Sequence, residues 1–122
     1  MSWLASLPLV ALGGAAGALG RFLLDRALSA RTDPVLPVGT MVANVTGSGL
    51  LGALAGLGTG LPDPVWQLAG AGFCGALTTW STFGYETVRL AESGARGYAL
   101  LNVGLTLVAG LAAVALGWLL AS

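Results

Sequence analysis

Four long tracts of predominantly apolar residues occupy most of this 122-residue sequence. A helix needs about 20 such residues to cross the hydrocarbon core of a bilayer. The tracts therefore predict membrane-spanning helices over about residues 3–27, 36–59, 64–91 and 97–121. We expect an all-α membrane protein in which residues 1–122 form a single four-helix transmembrane domain.

The composition indicates a surface that faces lipid. Charged residues make up only 8% of the chain, whereas a soluble domain carries about 25%. Lysine and histidine are both absent, so neither a basic face for nucleic acid nor the usual histidine chemistry of enzymes and metal sites is expected. The N-terminus lacks the basic region of a secretory signal, and we interpret the first tract as a span. These features favour a lipid-embedded protein that is not an enzyme.

Glycines recur at a spacing of four residues in and after the first two tracts. One pair is Gly13 and Gly17, and a second series is Gly52, Gly56 and Gly60. Helices in lipid associate through close van der Waals contact, which small residues one turn apart permit. This spacing predicts that the glycines pack helices against one another.

The third tract is unusual because hydroxyl groups cluster near its middle. Thr78, Thr79, Ser81 and Thr82 follow closely on Gly75. Glycine and β-branched threonine are weak helix formers, so the segment predicts a helix that is broken near mid-membrane. Irregular backbone at that depth is tolerated only where protein buries it or water reaches it. A break would free main-chain carbonyl oxygens that can bind a cation.

Uncharged hydrogen-bonding side chains also occur inside the second and fourth tracts. Asn44 lies in the second, and Asn102 and Thr106 lie one turn apart in the fourth, where helix packing alone would explain the pair equally well. A buried amide requires a partner, so Asn44 should face another helix or a polar cavity. The last three tracts have no Lys or Arg near their middle. Neutral donors there could hold an anion without trapping it, which conduction requires.

Three segments resemble the Fluc (CrcB) family of fluoride channels: GGAAGALGRF at 13–22, PVGTMVANVTGSGLLG at 37–52 and GFCGALTTWSTFGYE at 72–86. The third segment, with its TTxSTF core, is quite specific. The resemblance implies a passive channel that exports cytoplasmic fluoride across a prokaryotic inner membrane and relieves fluoride toxicity. It also implies an antiparallel dual-topology dimer with two pores.

The resemblance further assigns roles to individual residues. Trp80 stands where the family has phenylalanine, and its ring edge, like that of Phe83, would face the ion. The resemblance implies that Arg21 and Glu86 lie at the mouth of the pore. Arg21 could instead extend its head group to the membrane surface, and Glu86 could instead pair with Arg89. The implied vestibule comprises Arg21 and Glu86. The backbone carbonyls of Gly75 and Thr78 are implied to surround a structural Na⁺ at the dimer interface. The implied fluoride pore comprises Asn44, Trp80, Ser81, Thr82, Phe83, Asn102 and Thr106.

The arginines are distributed one-sidedly. Arg26, Arg31, Arg89 and Arg96 fall on or near the side of the first and third connectors, and Asp63 is the one charge on the other side. The positive-inside rule would place the arginine side in the cytoplasm in every copy. A dual-topology homodimer needs both orientations. The sequence therefore leaves two partners open, an identical copy that overrides the bias or a homologue of opposite bias.

Two other classes of membrane protein fit the length and hydropathy. A small multidrug exporter also has four spans, but it requires a membrane-embedded acid, and the first tract has none before Asp25. A non-transporting subunit or assembly factor would need only the stripes of small residues. The hydroxyl cluster of the third tract argues against it, and the sequence favours fluoride conduction.

Overall fold

The computed structural model of the protein describes residues 3–30 and 36–122. Within these ranges all of the regular structure is helical, which confirms the expected all-α fold. Arg31, Asp33 and the rest of the segment 31–35 lie outside the described residues. The main helices are α1 (Trp3–Ser29), α2 (Val38–Gly56), α3 (residues 63–77), α4 (Trp80–Glu92) and α5 (Arg96–Ala121).

Three of these helices, α1, α2 and α5, are long and apolar enough to cross a membrane. The third predicted span corresponds to α3 and α4 together. α3 comprises the contiguous stretches Asp63–Val65, Trp66–Cys74 and Gly75–Leu77, of which the middle one has wide π-helical turns. Because α4 has only 13 residues, it falls short of the length of about 20 that a span requires. A complete crossing would need α3 and α4 in series, and a fourth span remains a prediction.

The glycines of α1 seat that helix on the backbone of α3. A Cβ on Gly13 would overlap the carbonyl oxygen of Leu68, and one on Gly17 would overlap that of Phe73. No larger side chain could allow the two backbones to approach so closely. The sequence prediction that this pair packs helices is confirmed.

The second glycine series joins α2 to α5, with one exception. A Cβ on Gly52 would overlap the carbonyl oxygen of Val114, and one on Gly56 would lie 2.6 Å from that of Trp118. Gly60 instead lies in the connector after α2, where a Cβ would meet no described atom within 4 Å. The packing prediction is therefore confirmed for Gly52 and Gly56 and wrong for Gly60, because the helix ends before it.

The end of α1, the start of α2 and the end of α4 meet at one end of the bundle. Gly39 packs against Asp25 so closely that a Cβ on the glycine would overlap the carboxylate. Thr40 donates a hydrogen bond to Glu86 Oε1 at 2.6 Å. The arginines of the described chain lie toward this end, namely Arg21, Arg26, Arg89 and Arg96.

Candidate functional site

The helical ladder of the third predicted span is interrupted at Thr78 and Thr79. Both residues have extended backbone, with φ −80° and ψ 153° at the first and φ −150° and ψ 120° at the second. The α3 ladder ends where Thr78 N–H donates to the Cys74 carbonyl at 3.0 Å. Thr79 then caps α4, since its Oγ1 accepts from Thr82 N–H at 3.1 Å, a common role for threonine at a helix start. One helix therefore stops and the next begins within two residues.

The side-chain amide of Asn44, on α2, holds the interruption in place. Its Oδ1 accepts from Thr79 N–H at 2.7 Å, and its Nδ2 donates to the Thr79 carbonyl at 3.2 Å. The Thr79 N–H can only donate, so it determines which amide atom is the oxygen. Nδ2 carries two protons, and this pairing uses one. Asn44 therefore braces the extended backbone and keeps one N–H for another acceptor.

The carbonyl groups of Gly75 and Thr78 lose their usual donors at the interruption. In a continuous helix they would accept from the N–H groups of Thr79 and Thr82, four residues later. Those N–H groups instead donate to Asn44 and to the Thr79 hydroxyl. Gly75 is exposed, and a Cβ on it would meet no described atom within 4 Å. The interruption therefore takes both carbonyls out of the helical ladder, and the cation site that the family resemblance implies for them remains a prediction.

A cavity of about 290 Å³ opens beside the interruption, and we call it the central cavity. The ring centroids of Trp80 and Phe83 lie 5.2 Å apart there, with their planes inclined by 44°. Phe83 is buried, whereas 75% of Trp80 is exposed. No charged residue lines the cavity in the described part of the chain. Its polar lining residues are Asn44, Ser48, Thr78, Thr79 and Thr106.

The two helix ends at the interruption have opposite polarity. α4 begins at Trp80, so the N–H groups of its first turn give this point a partial positive charge. α3 ends at Leu77, where carbonyl groups give a partial negative charge. Interrupted membrane helices use such ends to hold an anion and a cation, respectively. The arrangement can therefore stabilise ions of both signs with main-chain groups alone.

A second cavity of about 250 Å³, the vestibule cavity, lies at the arginine end of the bundle. Arg21, Asp25, Thr40 and Thr82 are among its lining residues. The hydrogen bond from Thr40 places the Glu86 carboxylate next to it. The structure therefore brings together the two predicted vestibule residues, Arg21 and Glu86, and adds Asp25 and Thr40, which sequence reasoning missed.

A polar stripe on α2 links the two cavities. Thr40 lines the vestibule cavity, and Asn44 and Ser48 line the central cavity. These residues are four apart, so they share one face of the helix. That spacing was a readable signal, and it would have pointed to Thr40 and Ser48.

Two predicted pore residues lie apart from these cavities. Asn102 is only 1% exposed; its Nδ2 donates to Thr87 Oγ1 at 2.9 Å, and its Oδ1 accepts from Thr106 Oγ1 at 3.5 Å. Ser81 is exposed, with its Oγ 3.4 Å from Thr79 Oγ1. Neither residue lines the central or the vestibule cavity. Direct contact of these side chains with an ion remains a prediction, and Asn102 has an evident role in joining α5 to α4.

Residues 8–118 match the family of CrcB-like proteins, described as Camphor Resistance (CrcB). The match covers nearly the whole chain, including every residue that lines the two cavities. This protein belongs to the CrcB-like family. A CrcB-like chain with several apolar helices is a multi-pass membrane protein, as the sequence predicted.

Bacterial relatives of this CrcB-like protein share about half of its residues. "Fluoride-specific ion channel FluC 1" of Nocardia farcinica is 52% identical over 89% of this chain and 75% of its own length. The FluC 1 protein of Frankia casuarinae is 51% identical over 99% of this chain and 96% of its own length. "Fluoride-specific ion channel FluC 2" of Moorella thermoacetica is 44% identical over 99% of this chain and 97% of its own length. All three are named as ion channels and not as enzymes.

Proposed function

We propose that this CrcB-like protein is a fluoride-selective channel through which cytoplasmic fluoride leaves the cell passively. The observation that carries the proposal is the central cavity, where neutral donors and aromatic rings meet the interruption of the third predicted span. The names of the relatives agree with it. Hydrogen fluoride crosses lipid and dissociates at cytoplasmic pH, so passive exit of the anion would relieve its toxicity.

The proposed mechanism replaces the water around fluoride with neutral groups. Asn44 lines the central cavity and keeps one N–H of its amide free for the ion. The edges of the Trp80 and Phe83 rings carry the positive part of the aromatic quadrupole. The start of α4 adds a partial positive charge. Because no lining residue of the described chain carries a full positive charge, the ion is stabilised without being trapped.

Arg21 and Glu86 act at the entrance in this proposal. Arg21 lines the vestibule cavity, where its positive charge offsets the Asp25 carboxylate in the same lining and can attract an anion. The bond between Thr40 and Glu86 holds the carboxylate at the side of this cavity. Fluoride would then pass along the polar stripe of α2 from Thr40 to Asn44.

The carbonyls of Gly75 and Thr78 would hold a structural Na⁺, since the interruption frees both of them. When bound, this ion supplies a fixed positive potential without a titratable side chain. We expect fluoride flux to fall when N-methylglucamine replaces Na⁺ throughout purification, and to return when Na⁺ is added. Flux that is unaffected by this exchange would exclude the sodium site.

An antiparallel dimer with two pores would cover surfaces beside the central cavity that are exposed in a single protomer. Trp80 lines the central cavity but is 75% exposed, and Gly75 has open space before it. An aromatic ring at the proposed depth needs a second wall to exclude lipid from the ion. A second protomer would supply that wall, and its symmetry would generate an equivalent pore.

Fluoride efflux from proteoliposomes tests the proposed function. Purified protein should release fluoride far faster than chloride, with neither ATP nor a proton gradient. Equal release of both anions would exclude selectivity, and release that requires a proton gradient would indicate an exchanger. A subunit with no transport role would release neither.

The orientation of the termini tests the partner. We expect a homodimer, so single cysteines placed at each terminus should be labelled from both sides of the membrane in cells that lack other homologues. Cys74 is buried and free, and Cys74→Ser would remove background labelling. A single orientation, with the arginine end in the cytoplasm, would exclude the homodimer and favour a partner of opposite bias.

Trp80→Phe is expected to retain fluoride selectivity with an altered rate. Both rings have electropositive edges, but indole is larger and adds an N–H donor. Loss of the N–H donor should slow fluoride conduction, and the added space should speed it. The rate of conduction should therefore change by no more than about tenfold, or 1.4 kcal/mol. Rates identical to the wild type would show that the indole contributes nothing, and loss of selectivity would contradict the proposed role of the ring edge.

A further inference from the structure

The hydroxyl of Ser48 differs from its neighbours in the central cavity. Thr78 Oγ1 donates to the Cys74 carbonyl at 2.9 Å, Thr79 Oγ1 caps α4, and Thr106 Oγ1 donates to Asn102 at 3.5 Å. Among the described residues, Ser48 Oγ has no hydrogen-bonding partner. Serine within a helix often bonds to the carbonyl four residues earlier, and here it does not. The protein thus holds a free donor against a largely apolar cavity.

The helix opposite leaves room in front of this hydroxyl. On α5, Gly110 also lines the central cavity, and a Cβ built on it would lie 3.7 Å from Ser48 Oγ. Gly110 is one turn beyond Thr106, and Ser48 is one turn beyond Asn44. The space before Ser48 therefore lies one helical turn beyond Asn44 on one wall and one turn beyond Thr106 on the other.

We infer that Ser48 is a further ion-binding residue of the pathway, which donates a hydrogen bond to fluoride one turn beyond Asn44. An unpartnered hydroxyl in an apolar site costs free energy, and a small anion recovers that cost by accepting its proton. Gly110 is part of this position because its missing side chain provides the space for the ion. The inference rests on the proposed function, and it assigns one more contact within the same cavity.

Ser48→Ala tests the inference against Thr46→Ala. Thr46 is a matched control because it carries a hydroxyl on the same helix but is exposed and outside the cavity. We expect Ser48→Ala to lower fluoride flux about 10- to 100-fold, the range for one hydrogen bond to a charged group. Thr46→Ala should leave flux unchanged. Thermal unfolding in detergent should be the same for both variants, which separates loss of a donor from loss of folding.

A relocated hydroxyl provides the second test. Gly110→Ser in the Ser48→Ala background would return a hydroxyl to the same space from the opposite wall, and we expect it to restore part of the lost flux. Failure of Ser48→Ala to reduce flux in a conducting wild type would overturn this inference alone. Absence of fluoride flux in the wild type would overturn the proposed function and this inference with it.

Discussion

Asn44→Asp is expected to reduce fluoride flux by at least about 100-fold, or about 2.7 kcal/mol in the barrier. The carboxylate keeps an acceptor for Thr79 N–H but loses the donor to the Thr79 carbonyl and the second N–H of this cavity-lining side chain. It also adds a negative charge to a cavity whose described lining is neutral, where like charges repel strongly. Initial efflux rates from proteoliposomes, measured with a fluoride electrode, will show the loss.

Asn44→Ala separates the brace from the charge. This variant removes both hydrogen bonds to Thr79 without adding a carboxylate. Fluoride flux should therefore fall, while the selectivity of the pore for anions over cations remains. Thr46→Ala on the exposed side of α2 serves as the control. If Asn44→Asp conducted within about twofold of the wild type, then neither the brace nor the free N–H would matter to permeation.

Gly117→Ala is expected to destabilise the protein more than any other alanine substitution of glycine on α5. A Cβ there would overlap the Gly49 carbonyl oxygen and lie 2.8 Å from the Ala53 amide nitrogen. Both obstacles are backbone atoms, which cannot turn aside as a side chain can. Overpacking of this kind costs about 1–3 kcal/mol, more than the gain of up to about 1 kcal/mol from replacing glycine by alanine in a helix. Thermal unfolding in detergent should therefore begin at a lower temperature.

Gly104→Ala is the matched control for this prediction. It makes the same change on the same helix, but a Cβ on Gly104 would meet no described atom within 4 Å. Its melting temperature should equal or exceed that of the wild type. Equal melting temperatures for the two variants would contradict the close contact between α2 and α5.

Much of the fold follows from local patterns. Long apolar tracts predicted the helices, and glycines four residues apart predicted close helix packing at Gly13 and Gly17, for which the structure supplied the partner, α3. The interruption falls at Thr78 and Thr79, within the segment of weak helix formers that the sequence singled out. These features depend on residues that are close together in the chain. Hydrophobic periodicity and helix propensity are properties of such short segments, so they suffice to predict these features.

The candidate site depends on partners that are far apart in the chain. Asn44 was visible as a polar residue in a span, but its pairing with Thr79 joins residues 35 positions apart. The burial of Asn102 against Thr87 and the open space before Ser48 likewise depend on how α5 packs against its neighbours. No local pattern encodes which side chain on one helix meets which backbone group on another.

The sequence by itself determined that this chain is helical, lies in the membrane and weakens its third predicted span with glycine and threonine, because apolar length and backbone propensity are local properties. Only the tertiary structure decided which donors are already used and which remain free for an ion. A hydrogen bond to another helix removes a donor from the cavity without changing the residue that carries it.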